Sequence, residues 1–416
     1  NSDAPIPQFV RAMEMGGIKV NHQEVVDNLQ YQPITGVDGK QYIIGTYHLD
    51  PNPQQQGETL EGPIPLVIWN GEEWRKVGLD KFGIPFGTAL WFKSKEGTVI
   101  YEPRYDEIVS ENFSQATISA GIHWKWLERE PDVIDYRWSV NSDMKGQLQQ
   151  LDKFRNIKRV KLHALFFPAN APEWLNNMTP DEVLRHMEEH VSFLASRYKE
   201  IVQEVDVVNE PFYQGPLFIG EGTFTREDVF YRKLGPDYII KAFEMARRYF
   251  GPDVQLVYND LANHSVRYGP NGGYYQNTLN NINRVRQEGL VDIVGCQMHL
   301  DAAYPPTKAE MIEAFRSYGI PVEITELDVR LDHLGNISTQ RKMMIQAGIY
   351  KDVIEAALES GVVQSITVWD VGDKYSYYEH WGGGSENSDA SLFDENFNPR
   401  SAYYAVLQVL FDYARK

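Results

Sequence analysis

From about residue 84 onward, short apolar runs alternate with amphipathic stretches, and this alternation constrains the fold more than any other feature of the chain. Eight runs stand out, at residues 84–92, 116–120, 160–167, 205–209, 255–258, 292–299, 322–329 and 365–371. They are rich in Val, Ile and Phe and nearly continuous in apolar character, as strands buried on both faces require. Helix patterns lie between many of them. In residues 179–200, Thr179 offers an N-cap, Pro180 occupies the first turn, and Asp181 and Glu182 place acids where a helix start favours them. Leu184, Met187, Val191, Leu194 and Tyr198 then recur at spacings of three and four. Residues 237–250 and 340–360 read as further helices, the second ended by Gly361. Alternating strands and helices predict a parallel α/β sheet. Eight strands favour closure into a (β/α)8 TIM barrel over an open doubly wound sheet.

The first 80 residues read differently, so the expected division is 1–80 and 81–416. Residues 43–48 and 65–69 look like strands, residues 21–29 like a short helix, and 50–62 like a loop with Pro-Asn-Pro and repeated Gln. The expectation is a β-rich N-terminal extension packed on the barrel.

Composition excludes several functions. With 58 acidic against 40 basic side chains, the net charge of -18 repels nucleic acid, and no basic stripe offsets it. No apolar run reaches the roughly 18 residues of a membrane span. The single cysteine, Cys296, rules out an intrachain disulfide framework and multi-cysteine metal sites. Cys296 itself sits inside an apolar run and reads as a buried, inert thiol. The start at Asn1, with no Met or leader-like apolar run, suggests that any targeting peptide was removed or never present. Aromatics are plentiful, with 9 Trp and 24 Tyr, which suits surfaces that grip something amphipathic.

In a parallel barrel the chemistry lies at the C-terminal strand ends, so the polar residues closing each run are the candidates. The fourth run ends in Asn209-Glu210-Pro211, and the seventh leads into Glu326-Leu327-Asp328. The sixth closes with Gln297-Met298-His299, the third contains Lys161 and His163, and the eighth carries Trp369-Asp370. Two facing carboxylates are the minimum for cleaving a glycosidic bond, one holding a proton for the leaving oxygen and the other ionised. A lone Glu at a strand end is more often a salt-bridge partner or cap. Two, on the fourth and seventh strands of one barrel, carry more weight.

Asp206-Val207-Val208-Asn209-Glu210 and Ile324-Thr325-Glu326-Leu327-Asp328 resemble the two catalytic segments of glycoside hydrolase family 10, best known for endo-β-1,4-xylanases. Further matches follow in family order over residues 80–416. They are Phe86-Gly87-Thr88-Ala89, Lys125-Trp126 with Glu130-Pro131, Lys161-Leu162-His163, and Pro172-Glu173-Trp174. Asn259-Asp260, Gly295-Cys296-Gln297-Met298-His299, Trp369 with Asp373-Lys374, and the segment 392–397 continue the series. The resemblance implies a retaining hydrolase acting by double displacement, with Glu210 as acid/base and Glu326 as nucleophile about 5 to 5.5 Å apart. It further implies that Asn209 bonds the sugar 2-hydroxyl or the nucleophile, and that His299, held by Asp328, orients Glu326. Lys125, His163 and Gln297 would bind sugar hydroxyls, and Trp369 would supply a wall. The implied partner is a polysaccharide or oligosaccharide, with no cofactor or metal, no nucleic acid and no membrane. A monomer is expected, in a secreted or periplasmic setting inferred from the substrate class.

Departures from the family pattern are local. Gly121-Ile122 replaces a Glu-Asn pair that grips the second sugar on the non-reducing side, Phe167-Pro168 replaces Trp-His, and Tyr377 replaces a Trp. Apolar replacements cannot bond hydroxyls, which points to an intact reaction centre beside a rebuilt subsite. The substrate could then be another β-linked glycan. The reading from another class is a non-catalytic carbohydrate-binding protein, which retention of both carboxylates argues against. His186-Met187-Glu188-Glu189-His190 fits a zinc-peptidase pattern, but its histidines flank a packing stripe and the metal reading is discounted. Gly382-Gly383-Gly384 lacks the helix start and Lys-Ser/Thr of a phosphate cradle. Trp124 and Trp126 are equally consistent with sugar stacking and with core.

Overall fold

A computed structural model describes residues 4–50, 60–90, 102–119, 122–135, 154–211, 217–219, 222–224, 228–267, 273–380 and 387–416. Two helices, Pro5–Met15 and His22–Asp27, precede four strands, β1 (Gln30–Thr35), β2 (Gln41–Leu49), β3 (Gly62–Trp69) and β4 (Trp74–Lys76). These strands form an antiparallel sheet in chain order. The barrel strands follow: β5 (Phe86–Leu90), β6 (Gln115–Ile118), β7 (Arg159–Phe166) and β8 (Glu204–Asn209). After a short hairpin, β9 (Leu217–Ile219) and β10 (Gly222–Phe224), come β11 (Gln255–Asp260), β12 (Ile293–Cys296), β13 (His299–Asp301), β14 (Val322–Arg330) and β15 (Val363–Val368).

Eight of these, β5, β6, β7, β8, β11, β12, β14 and β15, pair in parallel, and both β12–β14 and β15–β5 pairings exist, so the sheet closes. This closure decides for the (β/α)8 barrel against the open sheet. The sixth run is broken: β12 stops at Cys296, Met298 turns through φ 64°, and β13 resumes beside β14. The last residues of the first run, 91 and 92, lie outside the described residues.

Local signals explain the helices. The Thr179 hydroxyl accepts from the Glu182 N–H while the Glu182 carboxylate accepts from the Thr179 N–H, a reciprocal cap that starts helix Pro180–Tyr198. Gly361 ends helix Thr339–Ser360 in the left-handed region at φ 72°.

The barrel interior is charged as well as apolar. Inward residues alternate along each strand. From β7 they are Arg159, Lys161 and His163, from β8 Glu204 and Asp206, and from β14 Glu323 and Thr325. Arg159 lies 3.0 Å from Glu204, and Lys161 lies 3.1 Å from Glu323 and 3.6 Å from Asp206. Burial and the neighbouring Glu204 push Glu323 well above the ordinary carboxylate range, so Glu323 keeps a proton. Glu204 is also raised by burial, but its hydrogen bond from Glu323 and the cations bring it down to about 2. Buried charges persist only when paired in this way. The ladder climbs from the base of the barrel towards the mouth.

Candidate active site

Asn209 closes β8, and Glu210 follows it at φ 51°, an unusual backbone state for a residue with a side chain. The Glu210 N–H donates to the Asn259 carbonyl at 2.9 Å, which ties the turn to β11. The Asn259 side chain does more. Its amide nitrogen donates to Asn209 Oδ1 at 2.9 Å and to Glu326 Oε2 at 2.8 Å, while its Oδ1 accepts the Thr325 hydroxyl at 2.6 Å. Gly295 on β12 makes room for it, since a Cβ there would lie 2.3 Å from Asn259 Oδ1. Asn259 therefore joins the Glu210 segment to Glu326.

Glu326 and Asp328 share one face of β14 and bracket His299. His299 Nε2 lies 3.0 Å from Glu326 Oε1, and its Nδ1 lies 2.9 Å from Asp328 Oδ2. The Tyr378 hydroxyl donates to the other Asp328 oxygen at 3.1 Å. Burial alone lowers an imidazole, but two carboxylates outweigh it and hold His299 well above its ordinary pKa, as imidazolium. Burial pushes the Glu326 carboxyl up. The His299 hydrogen bond, the charges of His163 and His299, and the Asn259 amide overcome that and leave it below the ordinary range. Glu326 is ionised at neutral pH.

The remaining candidates surround this pair. Gln297 Nε2 donates to Asn209 Oδ1 at 3.1 Å, so that oxygen is used twice and the amide NH2 of Asn209 is the end left over. Trp369 is only 8% exposed, its ring edge-on to His163 at 5.3 Å and to His299 at 6.4 Å. It forms floor more than open wall. His163 is buried with Nδ1 2.6 Å from Asp206 Oδ2. Burial lowers it, but Asp206 raises it further, and the resulting charge acts on Glu326. Lys125 lies on the short helix Trp124–Leu127, 5.6 Å from the exposed Trp126 ring, and no hydrogen bond among the described residues joins it to the other candidates.

Tyr377 is an exposed residue that opens the short helix Tyr377–His380, its N–H donating to Asp370 Oδ2 at 2.7 Å. Burial raises its phenol and the positive His299 opposes this, while Glu210, Glu326 and Asp328 all raise it further.

The departures are placed as follows. Ile122 is wholly buried in the core, Gly121 lies outside the described residues, and Phe167 is half-buried beside His123 at 6.2 Å. His123 is held neutral, pushed down to about 3 by burial and by His163. Of the discounted signals, His190 stacks on Trp124 at 4.3 Å, and the His186 ring meets Trp174 at 4.7 Å. Trp124 is core. Burial and the nearby Asp260 push the Cys296 thiol up. Gly382-Gly383-Gly384 lies outside the described residues.

With this geometry in place, comparison with known proteins is decisive. The sequence profile described as glycosyl hydrolase family 10 matches residues 75–409. The chain belongs to glycosyl hydrolase family 10. Family 10 relatives include endo-1,4-beta-xylanase A of Humicola insolens, 28% identical over 351 residues, covering 82% of this chain and 86% of that enzyme. Endo-1,4-beta-xylanase B of Thermotoga neapolitana is 29% identical over 313 residues, covering 74% and 83%. Among solved structures, xylanase 10B of Thermotoga petrophila in complex with xylobiose superposes with a TM-score of 0.69 at 27% identity, covering 82% of this chain and 99% of that one. The family 10 match begins within β4, so both N-terminal helices and most of the first sheet lie outside it. This family 10 chain is a glycoside hydrolase.

Proposed function

We propose that the chain is a retaining endo-β-1,4-xylanase-like hydrolase in which Glu326 is the nucleophile and Glu210 the general acid/base. The observation that carries this is the ionised Glu326, held between His299 and an Asn259 that also bonds Asn209 and the Glu210 N–H. Glu326 attacks the anomeric carbon while Glu210 gives its proton to the departing glycosidic oxygen. A covalent glycosyl-enzyme results. Glu210, now a carboxylate, takes a proton from water, whose oxygen displaces Glu326 and restores both groups. His299 and Asn259 spread the charge of the nucleophile and fix its orientation. The spare Asn209 amide donors suit the sugar 2-hydroxyl. His163 works from beneath through its charge on Glu326, and Gln297 orients Asn209. Lys125 serves as a hydroxyl binder at the glycone edge. Tyr377 stands where a wall above the cleft is needed.

Buried Ile122 and the Phe167-Pro168 pair favour a second reading, a different β-linked glycan cut at the same centre. A polymeric substrate supports a secreted or periplasmic setting for the enzyme. The test is hydrolysis of xylan against a panel of plant and algal β-glycans, with the first-formed anomer read by NMR. Release of β-anomeric xylo-oligosaccharides is expected. Initial α-anomers would overturn double displacement, and cleavage of another β-glycan alone would transfer the assignment to that polymer.

A further inference from the structure

The outer face of the N-terminal sheet is built unlike a solvent face. Register aligns Tyr31, Gly45, Val67 and Lys76 in one row across β1 to β4, and Pro33, Ile43, Trp69 and Trp74 in the next. The opposite face buries Ile34, Ile44 and Ile68, and β3 packs on helix Ser401–Ala414. A half-buried antiparallel sheet ordinarily turns polar residues outward. Here Tyr31 is 57% exposed, Trp74 47% and Ile43 41%. The Trp74 ring lies 5.3 Å from Tyr31 and 5.6 Å from Trp69, tilted by 59° and 51°. Gly45 permits this arrangement, because a Cβ there would lie 3.1 Å from the Tyr31 ring and 2.5 Å from Val67 Cγ2.

Three ring surfaces are therefore contiguous. Among the described residues neither indole N–H nor the Tyr31 hydroxyl has a partner. The two cations beside the rings are already paired, Arg75 with Glu73 and Lys76 with Glu111 at 3.7 Å. We propose that this face is a second glycan-binding surface, distinct from the cleft, that takes an uncharged polysaccharide chain. The ring faces meet the C–H faces of the sugars, and the indole and phenol donors meet their hydroxyls. With its cations paired and its remaining charges acidic, the face has no open cation among the described residues to hold an anionic partner. A net charge of -18 opposes pairing with a second copy. The glycoside hydrolase family guides only the choice of probe.

The test is native affinity electrophoresis of the full chain through gels containing soluble arabinoxylan or mixed-linkage β-glucan. The Glu326→Ala background keeps the polymer intact and leaves the cleft equal in every lane. Adding Tyr31→Ala with Trp74→Ala, both exposed positions, should weaken retention about tenfold for at least one polymer. The same pair in the active enzyme should leave turnover of a small aryl β-xyloside unchanged. Trp74→Ala alone should give an intermediate loss. Equal retention with and without the rings overturns the proposal, as does no retention of the parent in either gel. A change from dimer to monomer on sedimentation of the ring variants would assign the face to self-association instead. Absence of any glycan hydrolysis by the active enzyme would refute the cleft assignment alone, because gel retention is scored without turnover.

Discussion

Asn259→Ala isolates the link between the two catalytic segments. Its amide donates a 2.8 Å hydrogen bond to the ionised Glu326 and a second, at 2.9 Å, to Asn209 Oδ1, while Glu210 itself is met only through the Asn259 backbone carbonyl. A hydrogen bond to a charged group contributes about 1.5 to 3 kcal/mol. At about 1.4 kcal/mol per unit, its loss raises the Glu326 pKa by roughly one to two units. The sign follows from which form the bond favours. Asn259 stabilises the anion, so removing it makes protonation easier and moves the acidic limb of kcat/KM to higher pH. The substrate should be an aryl glycoside with a good leaving group, so that the limb reports the nucleophile and not the acid. Thr325→Val is the control, because it removes a bond to Asn259 and none to Glu326. Its limb should move much less. A uniform rate loss at all pH values with an unmoved limb would refute the reasoning and leave Asn259 a packing residue.

Gly295→Ala should reproduce part of that limb shift, since the added methyl meets Asn259 Oδ1 at 2.3 Å; an unshifted profile would mean the strand yields instead. Lys161→Met leaves Asp206 and Glu204 buried without their central cation and should cost about 3 to 5 kcal/mol. Thermal unfolding checks it, and an unchanged Tm would show the ladder to be dispensable. Glu210→Ala should damage turnover of substrates with poor leaving groups far more than activated aryl glycosides; equal loss on both contradicts its acid role.

The barrel was legible because parallel strands covered on both faces leave uninterrupted apolar runs, and because Thr179 with Glu182 and Gly361 mark helix ends by local chemistry. The N-terminal elements were harder. Helix Pro5–Met15 hides behind Pro5 and Pro7, which read as breakers, yet both stand in the first turn, where backbone N–H groups have no helical partner. Strand β1 carries Pro33, tolerated because β1 is an edge. In the site, the polar residue closing each strand was the useful signal: it pointed to Glu326 and His299, which the structure joins, and to Glu210, whose N–H it ties to Asn259. The same rule applied to Tyr258-Asn259-Asp260 would have singled out Asn259, whose importance comes from what it touches across the barrel. The inward ladder was also written in the sequence, as charges two apart inside apolar runs, Lys161 with His163 and Glu204 with Asp206. Which of those groups pair is set by barrel closure, and no single strand reveals it.

The nucleophile assignment is tested most directly by trapping the intermediate. A 2-deoxy-2-fluoro glycoside with a good leaving group slows release of the glycosyl-enzyme, and peptide mass spectrometry then locates the bound sugar. The sugar should be found on Glu326, in stoichiometric amount and lost when Glu326 is replaced by Ala. Attachment to Glu210 or any other side chain, or full turnover by Glu326→Ala, would contradict it.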